Sequence, residues 1–387
     1  MKRNSAILGA AFLMATSAIG PGFLNNTALF THDLLASFGF IILISILLDI
    51  GAQVNLWRIV TVSGMRAQDL GNAYVPGLGY ALSAMVAFGG LAFNIGNVAG
   101  CGLGLDVLAG LDARWGAALS AGVAILLFWL RDAGRAVDWF VRILGIAMIG
   151  LTVYVAIRAQ PPVGEALFRT FWPEEVDAMK IVALVGGTVG GYISFAGAHR
   201  LLDAGIRGKT QLPRVTRSSV TGILLTSLMR YTLFLAALGV FWAGTQLDLK
   251  NPAASVFRSG SGEIGYRFFG IVMWSAAITS VVGASYTSIS FLKTFLPAFE
   301  RSEKWLITAF IALSTVLFIS LRQTPSAVLV AAGAVNGIIL PFALALMLLA
   351  VRKQRLFPGY RHPAWLTATG WAVVLLMAWL SVVTVIG

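Results

Sequence analysis

Two short runs of this 387-residue chain have a composition that could do chemistry without acidic or basic side chains. They are Gly20-Pro21-Gly22 and Gly186-Gly187-Thr188-Val189-Gly190-Gly191, each set inside an apolar stretch. Pro21 lacks an N–H and its ring clashes with a preceding helical turn, and glycine is a weak helix former, so the chain over Ala18 to Phe23 is expected to unwind. An unwound turn leaves N–H and C=O groups without helical partners, and a half-helix N-terminus carries partial positive charge. Such N–H-rich ends suit a carboxylate or a small oxyanion. Gly20, Pro21, Gly22 and Phe23 are therefore candidate substrate contacts at the first break, and Gly190, Gly191 and Tyr192 at the second. Phe23 and Tyr192 would add an apolar wall and a hydroxyl. Glycines and aromatics also serve plain helix packing, which is the reading favoured for Gly186 and Gly187.

Other polar residues lie near these breaks or inside apolar runs. Asn25, Asn26 and Thr27 follow the first break and are expected in the same cavity. Asp49 is the clearest carboxylate within an apolar run, either a proton carrier or a partner of Arg58 or Arg66 near the cytoplasmic end. Thr279, Ser280, Ser285 and Thr287 either help backbone carbonyls hold Na⁺ or bond their own helix. Arg230 and His199-Arg200 are further intramembrane candidates, or long side chains that reach back to the interface. Cys101 is the single cysteine, which excludes an intrachain disulfide, and His32, His199 and His362 are too scattered for a zinc site. No cluster of acid, base and nucleophile marks an enzyme, and no cofactor is implied.

The elements that must position these residues are membrane helices. Charged residues make up 11% and apolar ones 58% of the chain, whereas soluble domains carry about 25% charge. A polytopic membrane protein follows, and runs such as 40–50 and 343–351, apolar on nearly every side, exclude an alternating-polarity barrel. Eleven candidate spans lie near 5–30, 35–57, 78–109, 115–131, 139–157, 179–203, 218–243, 264–291, 304–320, 325–350 and 363–386. The net charge of +12 comes from Lys and Arg dispersed among loops, with no basic domain to hold a nucleic acid. Most of these cations fall on segments that share a side with the N-terminus, so the positive-inside rule puts that end in the cytoplasm, in a bacterial inner membrane. Lys2-Arg3 and the apolar run to Ala18 imitate a secretory signal. Cleavage would remove half of the first span, so the segment is read as retained. The two breaks sit five spans apart, on either side of the charged loop 158–178. An odd number of spans per copy inverts the second, which gives repeats at 1–157 and 179–350 and an extra span within 351–387. Paired breaks in corresponding spans point to a transporter's central site.

With these residues in view, the segment Leu8 to Asp69 resembles the opening of the NRAMP divalent-metal transporters. Ile19-Gly20-Pro21-Gly22-Phe23 falls where that family has a hydrophobic residue followed by Asp-Pro-Gly-Asn. Val62-Ser63-Gly64-Met65 through Leu70, Ser280-Val281-Val282-Gly283 and Leu340-Pro341-Phe342-Ala343 extend the likeness over nearly the whole chain. The resemblance implies an all-α LeuT-type fold, two inverted five-helix repeats plus one helix.

The departures fall on the family's metal site. Its coordinating Asp and Asn correspond to Gly20 and Phe23, its Met-Pro-His motif to Gly190-Gly191-Tyr192, and a glutamine to Ile339. Asn94 and Asn97 stand where the family has an acidic pair linked to proton movement, and amides do not titrate near neutrality. A transition metal would find neither carboxylate nor sulfur. The expected cargo is thus a small anionic or zwitterionic solute moved by alternating access, coupled to H⁺ or Na⁺. The alternative is a divalent ion (Mn, Fe or Mg) in a rearranged site.

Overall fold

The computed structural model describes residues 20–130, 133–292 and 302–386, with backbone alone over 133–142. The first half of span 1, the signal-like segment, Arg131, Lys293 and Arg301 lie outside the described residues. The described chain is helical: α1 Pro21–Leu34, α2 Phe38–Ser63, α3 Ala67–Tyr74, α4 Leu78–Ala109, α5 Ala113–Trp129, α6 Ala133–Arg158 and α7 Val163–Phe171. Then follow α8 Ala178–Val189, α9 Gly191–Asp203, α10 Leu212–Trp242, α11 Pro252–Leu292, α12 Glu303–Leu321, α13 Pro325–Ala350 and α14 Ala364–Ile386.

Local chemistry sets the ends. Pro21 opens α1 at a position whose N–H would have no helical partner anyway, and Pro325 opens α13 with Thr324 accepting from the Ala327 N–H at 3.3 Å. Gly64 ends α2 and Gly110 ends α4 in the left-handed region, φ 66° and 65°, donating back to Val60 and Asp106. Large apolar side chains such as Leu47, Phe88, Trp115, Leu228 and Leu375 point outward, which is costly in water and neutral in lipid.

Eight of the described helical stretches are long and apolar enough to span a membrane, nine if the bent pair α6–α7 is one span. The count falls short of eleven for local reasons. Span 1 is described only from Gly20 onward, α1 and α2 run together across a 3-10 turn at Leu35–Ser37, and α5 has 17 residues. The loop 158–178 differs from expectation, because it contains α7, bent 106° from the end of α6. Pro161-Pro162 turns the chain, and Glu165 and Arg169 then pair one turn apart at 2.6 Å, enough to support a short helix on a mostly apolar segment. In α11 the helix bends at Gly262, φ 70°, just before the expected span.

The centre of the bundle is built on close backbone contact. Gly186, Gly333 and Gly337 let α8 and α13 approach until an added Cβ would strike backbone of the facing helix, the small-residue packing of membrane helices. α1 lies against α4, α8, α10, α11 and α13, so its N-terminal end points into the bundle interior.

Candidate functional site

The second break lies within the described residues; of the first, only the side from Gly20 onward does, and there Pro21 to Phe23 already belong to α1 rather than unwinding. Gly20 is extended (φ −99°, ψ −176°), and the first helical bond of α1 runs from Leu24 N–H to the Gly20 carbonyl at 3.2 Å with no side-chain cap. The N–H groups of Gly22 and Phe23 therefore lack intrahelical partners. Gly190 (φ −48°, ψ 165°) separates α8 from α9. Its position is tight, since a Cβ there would strike the Gly186 carbonyl and Asn336. Asn336 stitches this break: its Nδ2 donates to the carbonyls of Gly89 (2.9 Å) and Ala332 (3.0 Å), and its Oδ1 accepts from the Tyr192 N–H (3.4 Å). Ser194 Oγ donates to the Val189 carbonyl at 2.7 Å.

Between the start of α1 and α8 is a cavity of about 40 Å³. α1 and its cap give Gly20, Gly22, Phe23 and Asn26, and α4 gives Phe93 and Asn97. Ala183, Leu184 and Gly187 come from α8, Ile193 from α9, Arg230 from α10, Ser280 from α11, and Leu329 and Gly333 from α13. No acidic, histidine, cysteine or methionine side chain is among these lining residues, and no group of three His, Cys, Asp or Glu that could hold a metal occurs among the described residues.

Arg230 decides the electrostatics. It is 2% exposed, its Nη1 donates to Thr188 Oγ1 at 3.0 Å, and its guanidinium carbon sits 4.5 Å from the Phe23 ring centroid. Thr188 Oγ1 in turn donates to the Leu184 carbonyl at 2.8 Å. The aromatic face and the hydroxyl hold the cation in place. Neither neutralises it. With the positive end of α1 beside it, the cavity presents donors and positive charge.

Of the residues read from the sequence, Gly20, Gly22, Phe23, Asn26, Asn97 and Ser280 meet at this cavity. Pro21, Asn25, Asp49, Asn94, Thr279, Gly190, Gly191 and Tyr192 are not among its lining residues. Pro21 packs its ring on Gly100, and Gly191 packs on Ile339. Asn25 donates to Asn26 Oδ1 at 3.2 Å. Tyr192 directs its hydroxyl to the Gly283 carbonyl at 3.5 Å rather than into the cavity. Asn94 ties α4 to α11 and α12 through Ser285 (3.1 Å) and Ser314 (3.0 Å). Thr279 bonds the Ser275 and Ala276 carbonyls, and Ser285 the Val281 carbonyl, so both hydroxyls serve their own helix.

Asp49 needs a correction. Arg58 donates to Thr216 and Arg66 pairs with Asp203 at 3.2 Å, so neither partners the carboxylate. Arg230 likewise does not reach back to the interface. Sequence reasoning named Arg230 as an intramembrane candidate without assigning it to this cavity, read Gly187 as packing, and missed both Phe93 in the lining and Asn336 at the second break. The usable signals were one arginine in the apolar run 218–243 and one amide in 325–350.

Residues 11–387 match the model of the family described as natural resistance-associated macrophage protein-like, Nramp. The chain belongs to the Nramp family. It is 57% identical over 380 residues to the uncharacterized membrane protein YcsG of Bacillus subtilis, covering 98% of this chain and 94% of that one. An uncharacterized membrane protein of Haemophilus influenzae is 55% identical, covering 99% and 96%. The divalent metal cation transporter MntH of Xylella fastidiosa is 23% identical, covering 98% and 84%. Among solved structures, the Eremococcus coleocola manganese transporter superposes with a TM-score of 0.72 at 15% identity, covering 98% of this chain and 86% of that one. MhsT in complex with L-phenylalanine gives 0.64 at 15% identity, covering 97% of each. This Nramp-family chain therefore has the LeuT-type fold and is a multi-pass membrane transporter.

Proposed function

We propose that this Nramp-family transporter carries a small carboxylate- or oxyanion-bearing solute, anionic or zwitterionic, through the cavity between α1 and α8 by alternating access. On this reading it is a symporter of the bacterial inner membrane, with a cytoplasmic N-terminus and repeats divided at the 158–178 segment. The observation that carries the proposal is Arg230, a buried guanidinium at a cavity lined by no acidic or sulfur side chain. A divalent cation there would meet a fixed positive charge and the positive end of a helix, with no ligand suited to it. A carboxylate would meet charge-assisted donors from Arg230 and the Gly22 and Phe23 N–H groups, with Asn26, Asn97 and Ser280 as neutral partners. An amino group on the same solute could face the C-terminal carbonyls of α8.

The second reading, transport of Mn, Fe or Mg, is supported by the names of the more distant relatives, divalent metal cation transporters at 23% identity. A thermal-shift panel of purified protein separates the two. It would contain acetate, L-lactate, succinate and glycine on one side, and Mn²⁺, Fe²⁺ and Mg²⁺ on the other. A ligand at about 100 times its Kd adds about 2.7 kcal/mol of stability. Stabilisation by an acid and not by the metals is expected. The reverse pattern would establish the metal reading instead.

A further inference from the structure

Buried polar atoms without a protein partner are uncommon in native structures, and each needs an explanation. Among the described residues, several of them lie on two facing helices, α2 and α10. Both oxygens of Asp49, together with Gln53 Oε1, Arg58 Nε and Thr61 Oγ1, belong to α2, while Ser218 Oγ, Arg214 Nη2 and Arg230 Nε belong to α10. These helices pack together along their length. Gln53 Nε2 donates to Ser219 Oγ at 3.1 Å, and Arg58 Nη1 to Thr216 Oγ1 at 2.8 Å. As α2 advances from 53 to 58, its α10 partner falls from 219 to 216, so the helices run antiparallel. Asp49, one turn before Gln53 and on the same face, therefore lies between the level of Ser219 and that of Arg230. A file of polar side chains leads from the cavity at Arg230, past Asp49 and the Gln53–Ser219 bond, to the end of the seam marked by Arg58.

Arg230 is the charged side chain that acts most strongly on Asp49 among the described residues. The other helices packed on α2 do not supply a second one. α13 and α14 contain no ionisable residue. On α7, Glu165 pairs with Arg169. On α8, Lys180 pairs with Asp33 and Asp177. On α9, Asp203 holds Arg66, His199 accepts the Ala67 N–H, and Arg200 lies near Tyr192. On α10, Arg214 and Arg217 flank Thr216 at the Arg58 end of the seam, and the Tyr231 hydroxyl meets Thr170 Oγ1 at 3.1 Å.

We propose that Asp49 is the proton carrier of this transporter: it takes up a proton when an anionic solute claims Arg230, and releases it along the α2–α10 seam, so that solute and proton cross together. The proposal rests on the anionic-solute reading above. Its logic is electrostatic. Asp49 is 1% exposed and has no hydrogen-bond donor among the described residues, so a negative charge there relies on Arg230 as its counter-charge. A solute carboxylate on the guanidinium removes that balance, and an uncompensated buried charge is costly enough that protonation follows. The step is a proton transfer, carboxylate plus H⁺ giving carboxylic acid, with nothing oxidised or reduced.

The test is titration calorimetry of the full-length protein with acetate, L-lactate and succinate in phosphate and in Tris at pH 7. The difference in heat between the buffers counts protons taken up on binding. Infrared difference spectra would report the protonated carboxyl directly. Wild type should take up about one proton per bound acid and gain a protonated-carboxyl band, whereas Asp49→Asn should bind with an uptake near zero and no band. Binding by wild type without proton uptake, or equal uptake in Asp49→Asn, overturns the proton role and leaves the solute reading standing. If no acid binds wild type, the solute reading falls, and the coupling proposal falls with it. Should Asp49→Asn fail to fold, Gln53→Leu takes its place. It interrupts the seam away from the cavity and should slow acid uptake driven by a pH gradient at least ten-fold while leaving the proton count unchanged; an unchanged rate would overturn the seam as the path.

Discussion

Arg230 shows what one residue's type does and does not reveal. An arginine inside an apolar run can turn back toward the interface or mark a site, and its identity alone leaves both open. What separates them is the position of Thr188 and Phe23, the acceptor and the ring that hold the guanidinium, and those come from other spans. By contrast, Gly20, Gly22 and Phe23 were legible as a group because a proline between glycines marks a helix boundary from sequence alone. Arg230→Gln keeps a donor and removes the charge. It is expected to weaken binding of a carboxylate solute about 10- to 100-fold, the scale of a charge-assisted hydrogen bond at roughly 1.5–3 kcal/mol. Arg230→Lys, a point charge without the planar fork, should fall between the two. Dissociation constants from calorimetry check the series, and an unchanged constant in Arg230→Gln would remove Arg230 from the site.

At the scale of elements, two glycines at the second break do the opposite jobs to those read from the sequence, which favoured packing for Gly187 and the site for Gly190. Gly187 lines the cavity with no atom within 4 Å of where a Cβ would stand, whereas Gly190 is walled in by the Gly186 carbonyl and Asn336. Gly190→Ala should therefore cost about 1–3 kcal/mol by overpacking and lower the thermal unfolding midpoint by several degrees. Gly187→Ala, inside a helix with free space, should keep or slightly raise that midpoint and instead weaken acid binding. The pattern would be contradicted by equal midpoints for the two variants in a differential scan. The same limit explains α7. Pro161-Pro162 and the charges of 163–175 read as a loop because a two-turn helix gives too short a period to register, while the longer apolar spans declared themselves by length.

Across the whole molecule, the order of the long described spans was readable because membrane thickness fixes helix length and lipid forbids other backbone. The contacts that join distant spans were not, since nothing local encodes them. One such contact closes the C-terminal end of the bundle. His362, just before α14, places Nε2 2.7 Å from Asn55 Oδ1 on α2 and Nδ1 3.0 Å from the Tyr360 hydroxyl. Burial, and then the nearby positive charge of Arg58, push the imidazole down from 6.5 to about 4. The folded state thus keeps this histidine neutral where the unfolded chain protonates it. Between pH 6.5 and 4 the unfolded chain binds more protons, so the stability supplied here is complete above 6.5 and drains away as pH falls toward 4. Wild-type thermal midpoints should decline across that window, and His362→Gln, which keeps an amide to bond Asn55 but cannot titrate, should show a flatter profile. If both proteins lose stability in parallel from pH 6.5 to 4, some other group carries the acid sensitivity, and the join between α14 and α2 does not depend on a neutral imidazole.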